Sequence, residues 1–195
     1  MIKTTNMILE ELRDYANPKA KLSRMVKQGE YFRIARGLYE TDRNVPGHLL
    51  AGSIYGPSYI SFEYALGYYG MIPEAVYTIT SATFEKKKKK KYETVFGTFT
   101  YRDVPSDAFP LEIRLVQEGE YFYRIAEPEK ALCDTLYIMP PAKNTTELAS
   151  LLFDDLRIDD SELLKMDTEK IRFLSDRYRV TNMIKLATLL RRIKK

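Results

Sequence analysis

The apolar residues of this chain change period twice. They recur at helical spacing up to about residue 27, alternate in twos through much of the middle, and return to helical spacing after Pro128. Short segments of both kinds, cut by Pro and Gly, exclude a uniform bundle or sandwich. They predict an α+β fold. Residues 1–45 read as a small winged-helix-like unit. Residues 46–195 read as an α+β domain with a mainly antiparallel sheet and a helical C-terminal end.

In the first unit, Ile8, Leu9, Leu12 and Tyr15 predict a helix over 5–15. Asn17-Pro18 breaks it and caps a second helix over 18–27, which Gly29 stops. Leu22, Met25 and Val26 form the apolar stripe of that helix. Strand patterns over 31–34 and 38–40 flank Ala35-Arg36-Gly37, where the glycine suits a tight hairpin. Helix, helix and basic hairpin is the element order of a winged helix.

Further on, Ser58 reads as the cap of a helix to residue 69. Residues 75–83 and 92–104 alternate as strands, with six lysines between them on an expected hairpin loop. Residues 111–116 and 121–126 read as a second hairpin around Glu118-Gly119. Helices are predicted from Pro128, over 147–156 behind an Asn144/Glu147 capping box, and over 159–165, 168–178 and 181–192.

Signals for catalysis are weak. The single histidine, His48, and the single cysteine, Cys133, have no neighbouring ligands in sequence, and both read as structural. No P-loop, GxGxxG, HExxH or GxSxG occurs. The pairs Asp154-Asp155 and Asp159-Asp160 sit at helix ends and read as caps. Gly52-Ser53 opens like a nucleotidyltransferase motif, but no Asp-x-Asp or Asp-x-Glu strand follows within the next twenty residues to hold magnesium. The expectation is a binding protein with no catalytic residue, metal or cofactor. One cysteine, no apolar run long enough to span a bilayer and no signal-peptide pattern favour a cytoplasmic setting.

The formal charge is +4, but Lys86, Lys87, Lys88, Lys89, Lys90 and Lys91 carry more than all of that excess. Distribution therefore matters more than the total. Lys19, Lys21, Ser23, Arg24 and Lys27 on the second helix can face a duplex, with Arg33 and Arg36 of the hairpin on phosphate. The same charges also fit an ordinary solvated face. The lysine run fits either a nucleic-acid contact or a charged guard against edge pairing. Tyr55, Tyr59, Tyr64, Tyr68, Tyr69 and Tyr77 fit an interface, though packing into the core is the favoured reading.

Three stretches occur in order: Leu22 to Glu30 running into Arg36-Gly37-Leu38-Tyr39; Tyr59 to Leu66 with Gly70-Met71-Ile72-Pro73; and Pro128 to Asp134. Together they resemble the AbiEi family, the antitoxins of type IV toxin–antitoxin (abortive infection) systems. The resemblance implies an N-terminal winged helix that binds inverted repeats in the operon's own promoter. It also implies a C-terminal domain that counters a cognate nucleotidyltransferase-like toxin. By position, residues 19–27 would be the recognition helix and 33–39 the wing. The unit is one helix shorter than a full winged helix. The alternative is therefore a protein-interaction module or regulator whose trimmed winged helix no longer binds DNA. No membrane or small-molecule partner is expected.

Overall fold

The computed structural model describes residues 1–194. The N-terminal unit runs β1 (Ile2–Thr4), α1 (Thr5–Glu11), α2 (Pro18–Gln28), β2 (Phe32–Ala35) and β3 (Leu38–Glu40). Its caps follow from the sequence. The Thr4 side chain accepts from the Met7 N–H, and the Asn17 side chain from the Ala20 N–H. Gly29 ends α2 at φ 78°, a left-handed conformation that a side chain would strain. α1 stops at Glu11, short of residue 15, because Ile8 and Leu12 already fill its side of the core while Tyr15 stays exposed.

β1 escaped the sequence reading. It is three residues long and pairs with β3, giving an antiparallel sheet of order β1-β3-β2. Strand alternation splits this sheet into two faces. Tyr31 and Tyr39 join Ile8, Leu12 and Leu22 in a small core under the helices. Ile2, Leu38 and Ile34 pack instead against the larger core of the following residues.

Glu40 lies on this second face and is fully buried. It accepts from the Thr41 N–H at 2.8 Å and the Tyr121 hydroxyl at 2.9 Å, and it pairs with the Met1 amino group. Burial alone would raise its pKa. These donors outweigh burial and hold the carboxyl below its usual 4.5.

The rest of the chain builds a six-stranded sheet of order β6-β7-β5-β4-β9-β8. Its strands are β4 (Tyr59–Ile60), β5 (Ile79–Thr83), β6 (Lys90–Thr94), β7 (Gly97–Asp103), β8 (Ile113–Glu118) and β9 (Tyr121–Ala126). A 3-10 turn (Gly47–Leu50) and α3 (Ala51–Ile54) precede it, and α4 (Phe62–Tyr68) is inserted after β4. Then come α5 (Pro128–Ile138), α6 (Thr145–Ser150), a π-helical turn (Leu151–Asp155), α7 (Asp160–Lys165), α8 (Thr168–Tyr178) and α9 (Thr181–Ile193). Asn144 and Asp159 cap α6 and α7 as the sequence predicts.

Three expectations are corrected. Residues 58–69 are not one helix. Tyr59 and Ile60 form a central strand, and α4 starts only at Phe62. A strand buried on both sides need not alternate, so its apolar residues blended into the helical spacing that follows. Second, the strand predicted over 75–83 is confined to 79–83, and the one predicted over 92–104 is two strands, β6 and β7, folded into a hairpin. Third, the lysine run does not tip a hairpin. β5 pairs with β7 in parallel, and β6 forms a hairpin with β7. The lysines thus occupy a crossover to the sheet edge. Parallel pairing also joins β4 to β9, while the other three pairings in this sheet are antiparallel.

A sealed polar cluster ties these layers together. Lys130 and Asp134 are one turn apart on α5, fully buried, with Nζ and carboxylate 3.1 Å apart. Lys130 Nζ also donates to the Ala108 carbonyl at 2.8 Å. Asp134 accepts from the Tyr59 hydroxyl at 3.0 Å and the Ser61 hydroxyl at 2.6 Å. The Tyr178 hydroxyl of α8 bonds both charged groups. Burial pushes the Lys130 pKa down, against the pull of Asp134, and pushes Tyr59 and Tyr178 well up.

Two predictions follow from these contacts. Asp134→Ala leaves the Lys130 ammonium buried without a counter-charge and should cost about 3–5 kcal/mol in urea unfolding. The double variant Lys130→Met/Asp134→Leu should lose clearly less; equal loss would contradict the ion-pair account. Glu40→Gln should cost about 1–3 kcal/mol at neutral pH. Because the folded pKa of Glu40 is depressed, its contribution is present above the ordinary carboxylate value and fades as pH falls through the folded one. The difference in Tm between wild type and Glu40→Gln should therefore shrink in acid, and a constant difference would contradict this.

Candidate nucleic-acid interface

The exposed side of α2 is the main candidate. Leu22 is buried and Met25 and Val26 pack beside it on the inward stripe. The helical repeat then turns Ala20, Arg24 and Lys27 directly outward, with Lys19 and Ser23 on one flank. Lys19, Ser23, Arg24 and Lys27 are all exposed. α2 contains no acidic residue. Small residues at 20 and 23 leave room for close approach between the long cationic side chains.

Lys21 is placed differently. It falls on the opposite flank, half-buried, with its ammonium 5.4 Å from the centroid of the Tyr15 ring. Arg33 and Arg36 are exposed on the hairpin, whose turn is made at Gly37 with φ 78°. Arg33 lies opposite Tyr39, so alternation sets it on the helix-bearing face of the sheet.

Pairing distinguishes these charges from Lys3 and Arg13 of the same unit. Lys3 bonds Glu11 at 2.7 Å and Arg13 bonds Glu10 at 3.0 Å. Among the described residues, Lys19, Lys21, Arg24, Lys27, Arg33 and Arg36 have no carboxylate partner within ion-pair distance. An unpaired cationic face is ready to neutralise phosphates without first breaking internal salt bridges.

The lysine run lies beside the hairpin. Lys86 is half-buried, 5.4 Å from the Tyr55 ring centroid, and Lys87, Lys88 and Lys89 are exposed in the crossover. Lys90 and Lys91 begin β6, and Lys91 pairs with Glu93 at 2.6 Å.

The remaining sequence candidates take structural positions. Cys133 is fully buried beside Asp134, and burial pushes its thiol pKa up. His48 bonds Glu118 at 3.1 Å and packs edge-on to Tyr123 at 5.0 Å. Asp159 accepts from the Ser161 and Glu162 N–H groups, and Asp154 from the Ser150 hydroxyl. Tyr59 is buried, Tyr55, Tyr64 and Tyr69 are half-buried, and Tyr68 and Tyr77 are exposed. Among the described residues, no group of three or more His, Cys, Asp or Glu side chains could hold a metal ion. No helix among them is long and apolar enough to cross a membrane.

The buried cluster around Lys130 was missed at the sequence level. Its signal was present: a Lys and an Asp at i and i+4 bracketing the apolar run Ala131-Leu132-Cys133. A scan against family models and a search of curated proteins gave no match for this chain.

Because Arg24 and Lys27 support no contact within the fold, the Arg24→Ala/Lys27→Ala variant should keep its folding free energy within about 0.5 kcal/mol. Thermal melts followed by circular dichroism check this. A much larger loss would mean that these side chains brace the fold.

Proposed function

We propose that this protein is a non-catalytic DNA-binding regulator and antitoxin. The observation that carries the DNA-binding part is the acid-free, unpaired outer face of α2 beside a hairpin bearing Arg33 and Arg36. In this reading α2 enters the major groove of inverted repeats in the operon's own promoter. Ser23 and Lys21 approach base edges, the latter by leaving Tyr15, and Arg24, Lys27, Arg33 and Arg36 hold phosphates. The protein then represses its own operon by occupancy alone, without a cofactor, in the cytoplasm.

The antitoxin part is supported by the ordered stretches that resemble the AbiEi family. Two of them meet in space: Tyr59 and Ser61 of the second stretch bond Asp134 of the third. Under this reading residues 46–195 present a surface to a nucleotidyltransferase-like toxin.

A second reading keeps only protein binding. It is favoured by Leu115 and Phe122, which are 63% and 60% exposed on the β8–β9 hairpin. Co-expression with the product of the neighbouring reading frame separates the two. Rescue of growth by a variant that no longer shifts promoter DNA would show that neutralisation is independent of repression. Rescue by a wild-type protein that binds no promoter DNA would favour the second reading.

A gel shift with the gene's own upstream region tests the DNA-binding proposal. Arg24→Ala/Lys27→Ala should weaken binding about tenfold or more while the fold is kept. Unchanged affinity would remove α2 from the interface.

A further inference from the structure

The crossover between β5 and β6 is a fixed array of cations set beside the wing. Its backbone is anchored through Asp103. Asp103 at the end of β7 accepts from the Thr83 hydroxyl and from the Lys87 N–H, each at 2.6 Å. Glu85 and Lys87 hold left-handed backbone conformations, at φ 54° and 56°, that non-glycine residues adopt only when neighbours impose them. Lys86 is pinned over Tyr55. A loop acting only as a solvated spacer requires none of these restraints.

What the anchored backbone displays is uniform charge. Lys87, Lys88, Lys89 and Lys90 are exposed and, among the described residues, have no ion-pair partner; Lys91 alone of the run is paired. A cleft of about 460 Å³ opens at the end of this array, lined by Lys89, Lys90, Lys91, Thr100, Tyr101, Arg102 and Ile138. The Thr100 hydroxyl is buried there without a hydrogen-bond partner.

The strand that the array leads into borders the proposed interface. β2 is one of the two outer strands of the small sheet and β6 one of the two outer strands of the large one. These two edges lie side by side, and the cleft between them is lined by Arg33 and Arg36 on one wall and Tyr92, Glu93 and Thr94 on the other. The hairpin cations and the lysine array thus lie on either side of this cleft, whose β6 wall carries Glu93 paired with Lys91.

We propose that Lys87, Lys88, Lys89 and Lys90 form a second phosphate-contacting surface, which grips the duplex flanking the site read by α2. This rests on the reading of the N-terminal unit as a DNA binder. A same-sign array whose aromatic neighbour Tyr101 is sealed in the core, with the half-buried Ile138 as the apolar contact in its cleft, suits a polyanion of regular charge spacing. An acidic peptide would need an exposed aromatic or aliphatic anchor for most of its binding energy. The contribution is sequence-independent, and it displaces counterions from DNA.

The test uses the full chain with all four lysines replaced: Lys87→Gln, Lys88→Gln, Lys89→Gln and Lys90→Gln together. Fluorescence anisotropy measures Kd between 50 and 200 mM salt on three duplexes: the gene's upstream region, the same repeats trimmed of their flanks, and a random sequence of the first length. Each lost phosphate contact lowers the slope of log K against log salt by about 0.9, so the variant should lose about 3–4 from its slope on the flanked duplexes. Its preference for the upstream region over random sequence should persist, and the trimmed duplex should show little change. By contrast, Lys21→Ala/Ser23→Ala, which removes the two side chains assigned to base edges, should lower that preference. A quadruple variant with the wild-type slope would overturn the second surface and leave the α2 reading standing. An equal loss on trimmed and flanked duplexes would overturn its placement on the flank. Absence of binding by the wild type to any duplex would overturn both.

Discussion

The ion pair between Lys130 and Asp134 is the point on which the larger unit is assembled. Two charges sealed from water are unfavourable unless nearly every donor and acceptor is met. Here the partners come from three separate places: β4 and the residue after it, the turn at Ala108, and the C-terminal end of α8. An arrangement that shifts β4 by one residue or moves α8 would strand a buried charge. The cluster thus acts as a register device, fixing which strand lies at the centre of the sheet and how α5 and α8 lie over it. Apolar packing alone would stabilise the layers but tolerate more ways of stacking them.

That framework determines what the N-terminal unit can present. One face of its small sheet is covered by α1 and α2, and the other is fastened to the larger unit through Glu40, Ile2 and Leu38. With both faces in use, the outer side of α2 and the hairpin turn are left to solvent, and that is where the unpaired cations are found. The geometry also explains why few helices can suffice to hold α2. Support that a further helix would give in a larger winged helix is partly replaced by the sheet's second face resting on the main core.

Local signals were legible in the sequence wherever one residue sets one end of an element. Asn17, Pro18 and Gly29 bounded α2, Asn144 and Asp159 capped their helices, and Gly119 turned the β8–β9 hairpin. What depends on distant pairing was not. β1 is defined only by its partner β3, and β4 only by the strands on either side. The lysine run looked like a hairpin tip because its two neighbours alternate; the parallel pairing of β5 with β7 is invisible to a period count. The candidate interface divides the same way. The cationic face of α2 can be read from helical spacing, but the absence of carboxylate partners and the approach of β2 to β6 are properties of the folded chain.

The central claim is that α2 and the wing are the surfaces that meet DNA. Amide hydrogen exchange of the full chain, with and without a duplex of the gene's upstream region, tests it most directly. The account predicts slowed exchange in residues 18–40 and in the crossover at 85–91, while the strands around Asp134 remain as slow as before. Slowed exchange confined to the β8–β9 hairpin, or no change anywhere on adding saturating duplex, would contradict it.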